Sequence, residues 1–150
     1  MWKEQHERIK RYKEKLLKQQ DWRYRHGPPP DEFTDDIYTC IQHLHHLKDW
    51  LVSSNVVTKE ETNKLIETNI QLQIIQEVCN GTKHLTTEFR EGNLAVGYII
   101  EDAPYTTKGS YGEKKVRYVT YYNGEMHDII NLIDESMDLW EKYLVQKNNS

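Results

Sequence analysis

Apolar residues recur at intervals of three and four between Phe33 and Leu51, and this pattern constrains the fold more than any other feature of the chain. The stripe consists of Phe33, Ile37, Cys40, Ile41, Leu44, Leu47, Trp50 and Leu51. This spacing places all of these side chains on one face of an α-helix, and that face must be buried against other elements. We therefore predict a long amphipathic helix that lies in a helical core.

Three further segments carry helical signals. Trp2 to about Gln20 has a thin apolar stripe, and Thr-Lys-Glu-Glu, beginning at Thr58, is a capping box that predicts the start of a third helix. The chain that follows is either one bent helix or two consecutive helices, and we favour a break near Thr68-Asn69. The final helix is predicted from Met126, Ile129, Ile130, Ile133, Met137, Trp140 and Leu144.

Two segments before the last helix differ from the rest of the chain in amino-acid composition. "NLAVGYIIED" and "KKVRYVTYYN" are rich in β-branched residues and tyrosine, so they predict two strands of a hairpin at about 94–122. The stretch "YTTKGSYGEKKVRYVTYY" interleaves five tyrosines with Lys108, Lys114, Lys115 and Arg117. These residues could form a surface for single-stranded RNA or DNA, although ordinary strand composition is the favoured interpretation. The predicted fold class is mainly α, a helical bundle of four to five helices with a β-hairpin inserted before the C-terminal helix.

Charge divides the chain into unequal parts. Residues 1–26 contain nine Lys/Arg against four Asp/Glu, whereas the remaining residues contain eleven against twenty. We predict a basic N-terminal helical arm over 1–26, a Pro-rich linker over 27–31 and the bundle over 32–147. A basic arm of this kind can contact nucleic acid, the acidic body of its own chain, or a second copy.

Composition limits the cellular setting. No apolar run approaches the roughly 18 residues of a membrane helix, and "MWKEQHERIKRYKEK" lacks the apolar centre of a signal peptide. We therefore expect a cytoplasmic protein with no membrane contact. Cys40 and Cys79 each lie in an apolar helical pattern, which predicts two buried free thiols rather than a disulfide.

The segment "QHLHHLKDWL" contains a histidine-rich turn of the long helix. His43, His46 and Asp49 follow one another at intervals of three, so a helix places them on one face. The favoured interpretation is a His–Asp hydrogen bond on a half-buried polar face. The alternative is a small-ligand or metal site that His84 would complete. We predict no metal and no cofactor.

A second polar cluster lies in "CNGTKH". Asn80 and His84 are four residues apart and share a face if the helix continues through Gly81, while Lys83 adds a cation. A histidine near neutral pKa can act as a general acid or base. Gly81 can equally end the helix in a left-handed cap, and the residues alone leave both possibilities open.

The order of these segments resembles a known group of proteins. "DDIYTCIQHLHHLKDWL", "NIQLQIIQEVCNGTKHL", a hairpin and "IINLIDESMDLWEKYL" together resemble small bacterial or mobile-element proteins related to the HEPN superfamily, over roughly residues 31–146. The resemblance implies an all-α bundle that is often dimeric. Many members are metal-independent ribonucleases of toxin–antitoxin and phage-defence systems.

The same resemblance implies a role for the polar cluster. Active HEPN members carry Arg, a polar residue, three variable residues and His on one helix, and two such helices meet across a dimer to cut RNA. His84 matches the His and Asn80 the polar residue, but Cys79 stands where the Arg belongs. An arginine stabilises the developing charge on a phosphate, and a thiol cannot.

The sequence therefore leads to one preferred function and two alternatives. We expect a HEPN-like, non-catalytic binding or interaction module, with a possible homodimer and an RNA or protein partner, linked to phage defence or a toxin–antitoxin system. The first alternative is a metal-independent endoribonuclease that uses His84, Asn80 and Lys83 at a dimer groove. The second is a ligand or metal site formed by the histidine-rich turn together with His84.

Overall fold

The computed structural model describes residues 2–19, 29–83, 96–102 and 114–148. These residues form five helices, with a three-stranded antiparallel sheet between the fourth and the fifth. The elements are α1 (Trp2–Gln19), α2 (Asp31–Ser53), α3 (Lys59–Glu67), α4 (Ile70–Lys83), β1 (Gly97–Asp102), β2 (Lys114–Tyr122), β3 (Glu125–Asp128) and α5 (Ile129–Asn148). The predicted fold class is confirmed, because the protein is mainly helical and its sheet precedes the C-terminal helix.

Helix α2 lies at the centre of the bundle and contacts all four other helices. The predicted apolar stripe is its buried face, and Ile37, Leu44 and Leu51 are at most 1% exposed. Trp50 is only half-buried, at the margin of this face. None of the described helices is long and apolar enough to cross a membrane.

The capping box and the break in the middle of the chain are both confirmed. The Glu61 backbone N–H donates to Thr58 Oγ1 and the Thr58 N–H donates to Glu61 Oε1, each at 3.1 Å, at the start of α3. Helix α3 ends at Glu67, where the side chain of Asn69 donates back to the carbonyl of Leu65 at 2.8 Å. Helix α4 then continues through Gly81 to Lys83, so Gly81 does not end it.

The sheet corrects one sequence prediction. Asn123 and Gly124 have φ values of +50° and +79°, and this tight turn returns the chain as a third strand instead of leading into the helix. Met126, predicted to begin the final helix, pairs with Tyr121 in β3. Helix α5 begins only after Asp128, whose Oδ1 accepts from the backbone N–H three residues later at 2.9 Å.

Helix α1 shares the core of the bundle. Ile9 is 0% exposed and Leu16 is 2% exposed, against α2 and α5. Lys13 pairs with Asp134 of α5. The proposed boundaries of the basic arm and its linker remain predictions, because residues 20–28 lie outside the described part of the chain.

Candidate functional site

Within the described residues, a groove lies between α1 and α2, and we call it the cationic groove. It is lined by Arg8, Arg11, Tyr12, Lys15 and His43 and has a volume of about 470 Å³. The cations of α1 follow one another at intervals of three and four, so they lie along one side of that helix. Four of the five lining residues carry or can carry a positive charge, so the groove is suited to an anionic ligand.

The cations of this groove are incompletely neutralised by the protein. Lys15 Nζ lies 3.0 Å from Asp36 Oδ2, which raises the lysine pKa. Arg8 instead donates to the neutral side chain of Gln5 at 2.6 Å, and in the part of the chain that the structure describes no carboxylate pairs with Arg8 or Arg11. Glu4 and Glu7 line a neighbouring pocket together with Arg8 and Arg11, but neither carboxylate forms an ion pair with them, so both guanidinium groups can bind an external anion.

Gln5 and His43 form the polar floor of the groove. Gln5 is 1% exposed, and its Nε2 donates to the backbone carbonyl of His43 at 2.9 Å. The same nitrogen lies 3.3 Å from His43 Nδ1, and the imidazole lies against the ring of Tyr12 with centroids 5.4 Å apart. Partial burial, followed by the nearby charges of Arg8 and His46, lowers the pKa of His43. The imidazole is therefore neutral at pH 7.

The residues of the predicted histidine face have separate surroundings. His46 Nδ1 lies 3.0 Å from Asp49 Oδ2, which is the predicted His–Asp hydrogen bond, on the exposed side of α2. His43 instead contacts α1. Within residues 2–19, 29–83, 96–102 and 114–148 no group of three His, Cys, Asp or Glu side chains is arranged to hold a metal ion. His84, which would complete the site, lies outside the described residues.

The motif at the end of α4 is described only in part. Cys79 is 0% exposed, and Asn80 is half-buried. Helix α4 ends at Lys83, and His84 again lies beyond the described segment. Cys79 therefore belongs to the hydrophobic core.

One of the cations of the tyrosine-rich strand, Arg117, is neutralised within the protein. Arg117 Nε lies 3.0 Å from Asp128 Oδ2, and its Nη1 lies 3.2 Å from Glu101 Oε1. These two carboxylates raise the pKa of Arg117. An arginine held by two internal anions has little positive field left for a ligand, so this part of the sheet is a weaker candidate than the cationic groove.

Sequence reasoning identified the basic segment but not the residues that form the groove. The spacing of Arg8, Arg11 and Lys15 was an available signal, because intervals of three and four place charges on one helical face. The partnership of Gln5 with His43 joins residues 38 positions apart. No local sequence pattern predicts a contact over this distance in the chain.

No protein-family model matches the sequence, and searches of curated proteins and of solved structures also gave no match.

Proposed function

We propose that this protein is a HEPN-like helical module that binds RNA in the cationic groove and does not cleave it. The observation that carries the proposal is the pair Arg8 and Arg11, aligned with Lys15 on one side of α1 and left without carboxylate partners among the described residues. Residues 27–150 carry twenty Asp/Glu against eleven Lys/Arg, so the net charge favours a polyanion at the basic N-terminal segment over the rest of the chain.

The dimensions of the groove suit a nucleic acid strand. Arg8 and Lys15 are seven residues apart on a helix, which corresponds to about 10 Å along its axis at the usual rise of ~1.5 Å per residue. Phosphates follow at about 3.4 Å of axis per strand in a duplex, so this row of cations can contact more than one of them. The volume of about 470 Å³ also leaves room for a nucleotide beside the row.

The absence of cleavage is inferred from the α4 motif. A metal-independent ribonuclease of this kind needs a cation where negative charge develops on the phosphate. Cys79 occupies that position, is 0% exposed and cannot supply a charge. The RNA contact that we propose is therefore made by α1, and the α4 motif contributes no cation from this position.

The binding test uses a labelled single-stranded RNA and fluorescence anisotropy at several salt concentrations. We expect Arg8→Gln/Arg11→Gln to weaken binding and to reduce the slope of log K against log salt by about 1.4, because each lost phosphate contact removes about 0.7. Lys59→Gln/Lys142→Gln removes the same charge from exposed residues away from the groove and should leave the slope near that of the parent. Equal effects of the two double variants would disprove the groove as the binding site.

The cleavage test uses the same RNA with the parent protein and with His84→Ala. We expect intact RNA in both reactions. Cleavage by the parent that disappears in His84→Ala would support the ribonuclease alternative and overturn the non-catalytic part of the proposal. Cleavage that both proteins share would identify a contaminating nuclease, so a second purification of each must remove it.

A further inference from the structure

We propose that His43 supplies the cationic groove with a neutral, fixed hydrogen-bond donor, its Nε2–H group, for a non-bridging phosphate oxygen of the bound RNA strand. Gln5 is the positioning residue that sets this donor and holds Arg8 in the same groove. This role deepens the proposed function and rests on it, because the phosphate belongs to the RNA proposed above. The three side chains are already in contact through Gln5.

The orientation of the Gln5 amide follows from two of its contacts. A guanidinium group only donates, so the Gln5 atom 2.6 Å from Arg8 Nη1 is the amide oxygen. A backbone carbonyl only accepts, so the atom 2.9 Å from the carbonyl oxygen of His43 is the amide nitrogen. Gln5 is 1% exposed, and a reversed amide would set donor against donor and acceptor against acceptor without water to compensate. The amide therefore has a single orientation.

This orientation selects one tautomer of His43. The Gln5 NH2 group has one hydrogen for the carbonyl of His43 and a second for His43 Nδ1, which lies 3.3 Å from the amide nitrogen. Only an Nδ1 with a lone pair can accept this hydrogen, so the proton of the neutral imidazole is on Nε2. A charged imidazole would set a second N–H against the NH2 group, at the cost of an unsatisfied buried donor. The ring therefore stays neutral when an anion binds.

The Nε2–H group of His43 is left for a ligand. His43 lines the cationic groove, and within the part of the chain that the structure describes no group accepts a hydrogen bond from its Nε2. The rest of the ring is held in place, because Nδ1 faces Gln5 and the ring packs against Tyr12 with centroids 5.4 Å apart. A ring that is fixed before binding loses less conformational entropy when it donates to a ligand.

Arg8 adds charge to this neutral donor. Gln5 uses one Nη1–H of Arg8, and the other N–H groups of the guanidinium remain available. The charge of Arg8 is close enough to His43 to contribute to the lowered pKa of the imidazole. A phosphate that contacts both residues would accept a charge-assisted bond from Arg8 and a neutral bond from His43. The continuation of the cationic row through Arg11 and Lys15 fits a ligand that repeats its charge, as a nucleic acid strand does.

The decisive experiment measures the affinity for labelled single-stranded RNA at several salt concentrations and neutral pH. His43→Phe removes the donor but keeps an aromatic ring beside Tyr12, and we expect affinity to fall at least about tenfold, since a hydrogen bond to a charged group contributes that much. The slope of log K against log salt should equal that of the parent, because a neutral donor releases no counterion. His43→Gln provides an amide N–H in place of Nε2–H and should recover most of the loss. His127→Phe, in the sheet, is the matched control and should bind like the parent.

The results for these variants separate the role of His43 from the proposed function. An affinity of His43→Phe equal to that of the parent, while Arg8→Gln/Arg11→Gln is weakened, would overturn the donor and leave RNA binding in the groove intact. A loss of affinity with a smaller salt slope would identify His43 as a cation and would equally overturn the neutral donor.

Nitrogen-15 NMR of the histidine rings tests the positioning by Gln5 without RNA. In the parent at neutral pH, His43 should show an unprotonated Nδ1 and a protonated Nε2. Gln5→Met keeps an unbranched side chain but removes the donor to Nδ1, so its His43 should show a mixture of both tautomers. A protonated Nδ1 in the parent, or a single unchanged tautomer in folded Gln5→Met, would disprove the positioning role. If Gln5→Met does not fold, the spectrum of the parent still decides the tautomer.

The phosphate contact is tested separately with pyrophosphate. Its addition should shift the Nε2–H resonance of His43 in the parent, and the shift should be absent in Arg8→Gln/Arg11→Gln. This test holds even if the labelled RNA does not bind, which would refute the proposed function alone. An Nε2–H resonance that does not move at saturating pyrophosphate would disprove the phosphate contact.

Discussion

Replacing Ile9 with alanine should destabilise the whole bundle, because α1 is built into the same core as the other helices. Ile9 is 0% exposed, and α1 contacts both α2 and α5. Two contacts with α5 support this position, an ion pair of Lys13 with Asp134 and a hydrogen bond between His6 Nε2 and Glu141 Oε1 at 3.0 Å. If residues 1–26 were instead an independent arm, the same substitution would leave the rest of the chain unaffected.

The expected magnitude follows from the buried volume that is removed. Isoleucine exceeds alanine by three carbon atoms, so the transfer term is about 2.4 kcal/mol at ~0.8 kcal/mol per methylene. The cavity that remains raises the loss to about 3–4 kcal/mol, within the range for Ile→Ala in a core. The better helix propensity of alanine recovers only a few tenths, roughly 0.4 kcal/mol. Domains of this size have unfolding free energies of about 5–15 kcal/mol, so the loss is a large fraction of the total.

Urea denaturation followed by far-UV circular dichroism measures this loss. With a slope of about 1–3 kcal/mol per molar urea, the midpoint should fall by at least about 1 M. Leu17→Ala is the matched control on the same helix, because Leu17 is 45% exposed and its removal should cost less than about 0.5 kcal/mol. Curves for Ile9→Ala and Leu17→Ala that coincide would refute the argument that α1 belongs to the core.

Three other predictions concern the bundle. Thr58→Ala should lower stability by about 1 kcal/mol in urea denaturation because it removes the N-cap acceptor of α3, while Thr58→Ser should retain most of it. The hydrogen bond from Lys147 is the main cause that lowers the pKa of Glu61 to about 2, so the folded protein should lose stability as the pH falls from about 4.5 toward 2. Glu61→Gln should lose this pH dependence in calorimetry. An acid profile of the variant that matches the parent would contradict the prediction. Burial raises the pKa of Cys40 to about 12, and Cys40 and Cys79 are both 0% exposed, so a thiol reagent should react only as the protein unfolds; rapid labelling of the native protein would be inconsistent with this burial.

The fold was predictable wherever a buried face requires apolar residues at regular intervals in the sequence. The stripe from Phe33 to Leu51 identified α2 because a helix with one buried face must repeat apolar residues at threes and fours. The capping box at Thr58 identified the start of α3, since its two hydrogen bonds are local. That Cys40 and Cys79 are buried and form no disulfide was predictable from the apolar helical pattern around each of them.

The sequence did not predict the third strand, because β3 has only four residues and the Asn-Gly pair before it can either end a strand or form a turn between two strands. Asn123-Gly124 marks a tight turn as readily as it marks the end of a strand, and Met126 suits either a strand or a helix. The pairing of Met126 with Tyr121 settles the choice. The helix can begin only after Asp128, which caps it and also binds Arg117.

The candidate site was less predictable than the fold, because its decisive contacts join helices that are distant in sequence. The composition of residues 1–26 indicated a basic helix, but not that Gln5 would be buried against His43. A glutamine in a thin amphipathic stripe normally lies at the surface. Its burial became possible only because a carbonyl and an imidazole of α2 satisfy its amide nitrogen and Arg8 satisfies its oxygen.

Helix α1 therefore has two functions in this protein: its buried residues fix it in the core, and its cations line the cationic groove. Ile9 and Leu16 fix the helix in the core, so the row of cations has a defined position instead of the many positions of a flexible arm. That fixation reduces the conformational entropy lost when a ligand binds, which favours affinity at a given number of charge contacts. It also holds Arg8 against Gln5, where one Nη1–H satisfies a buried acceptor and the other N–H groups of the guanidinium remain available to an anion. The same contact therefore stabilises the protein and orients a guanidinium group that the ligand can contact.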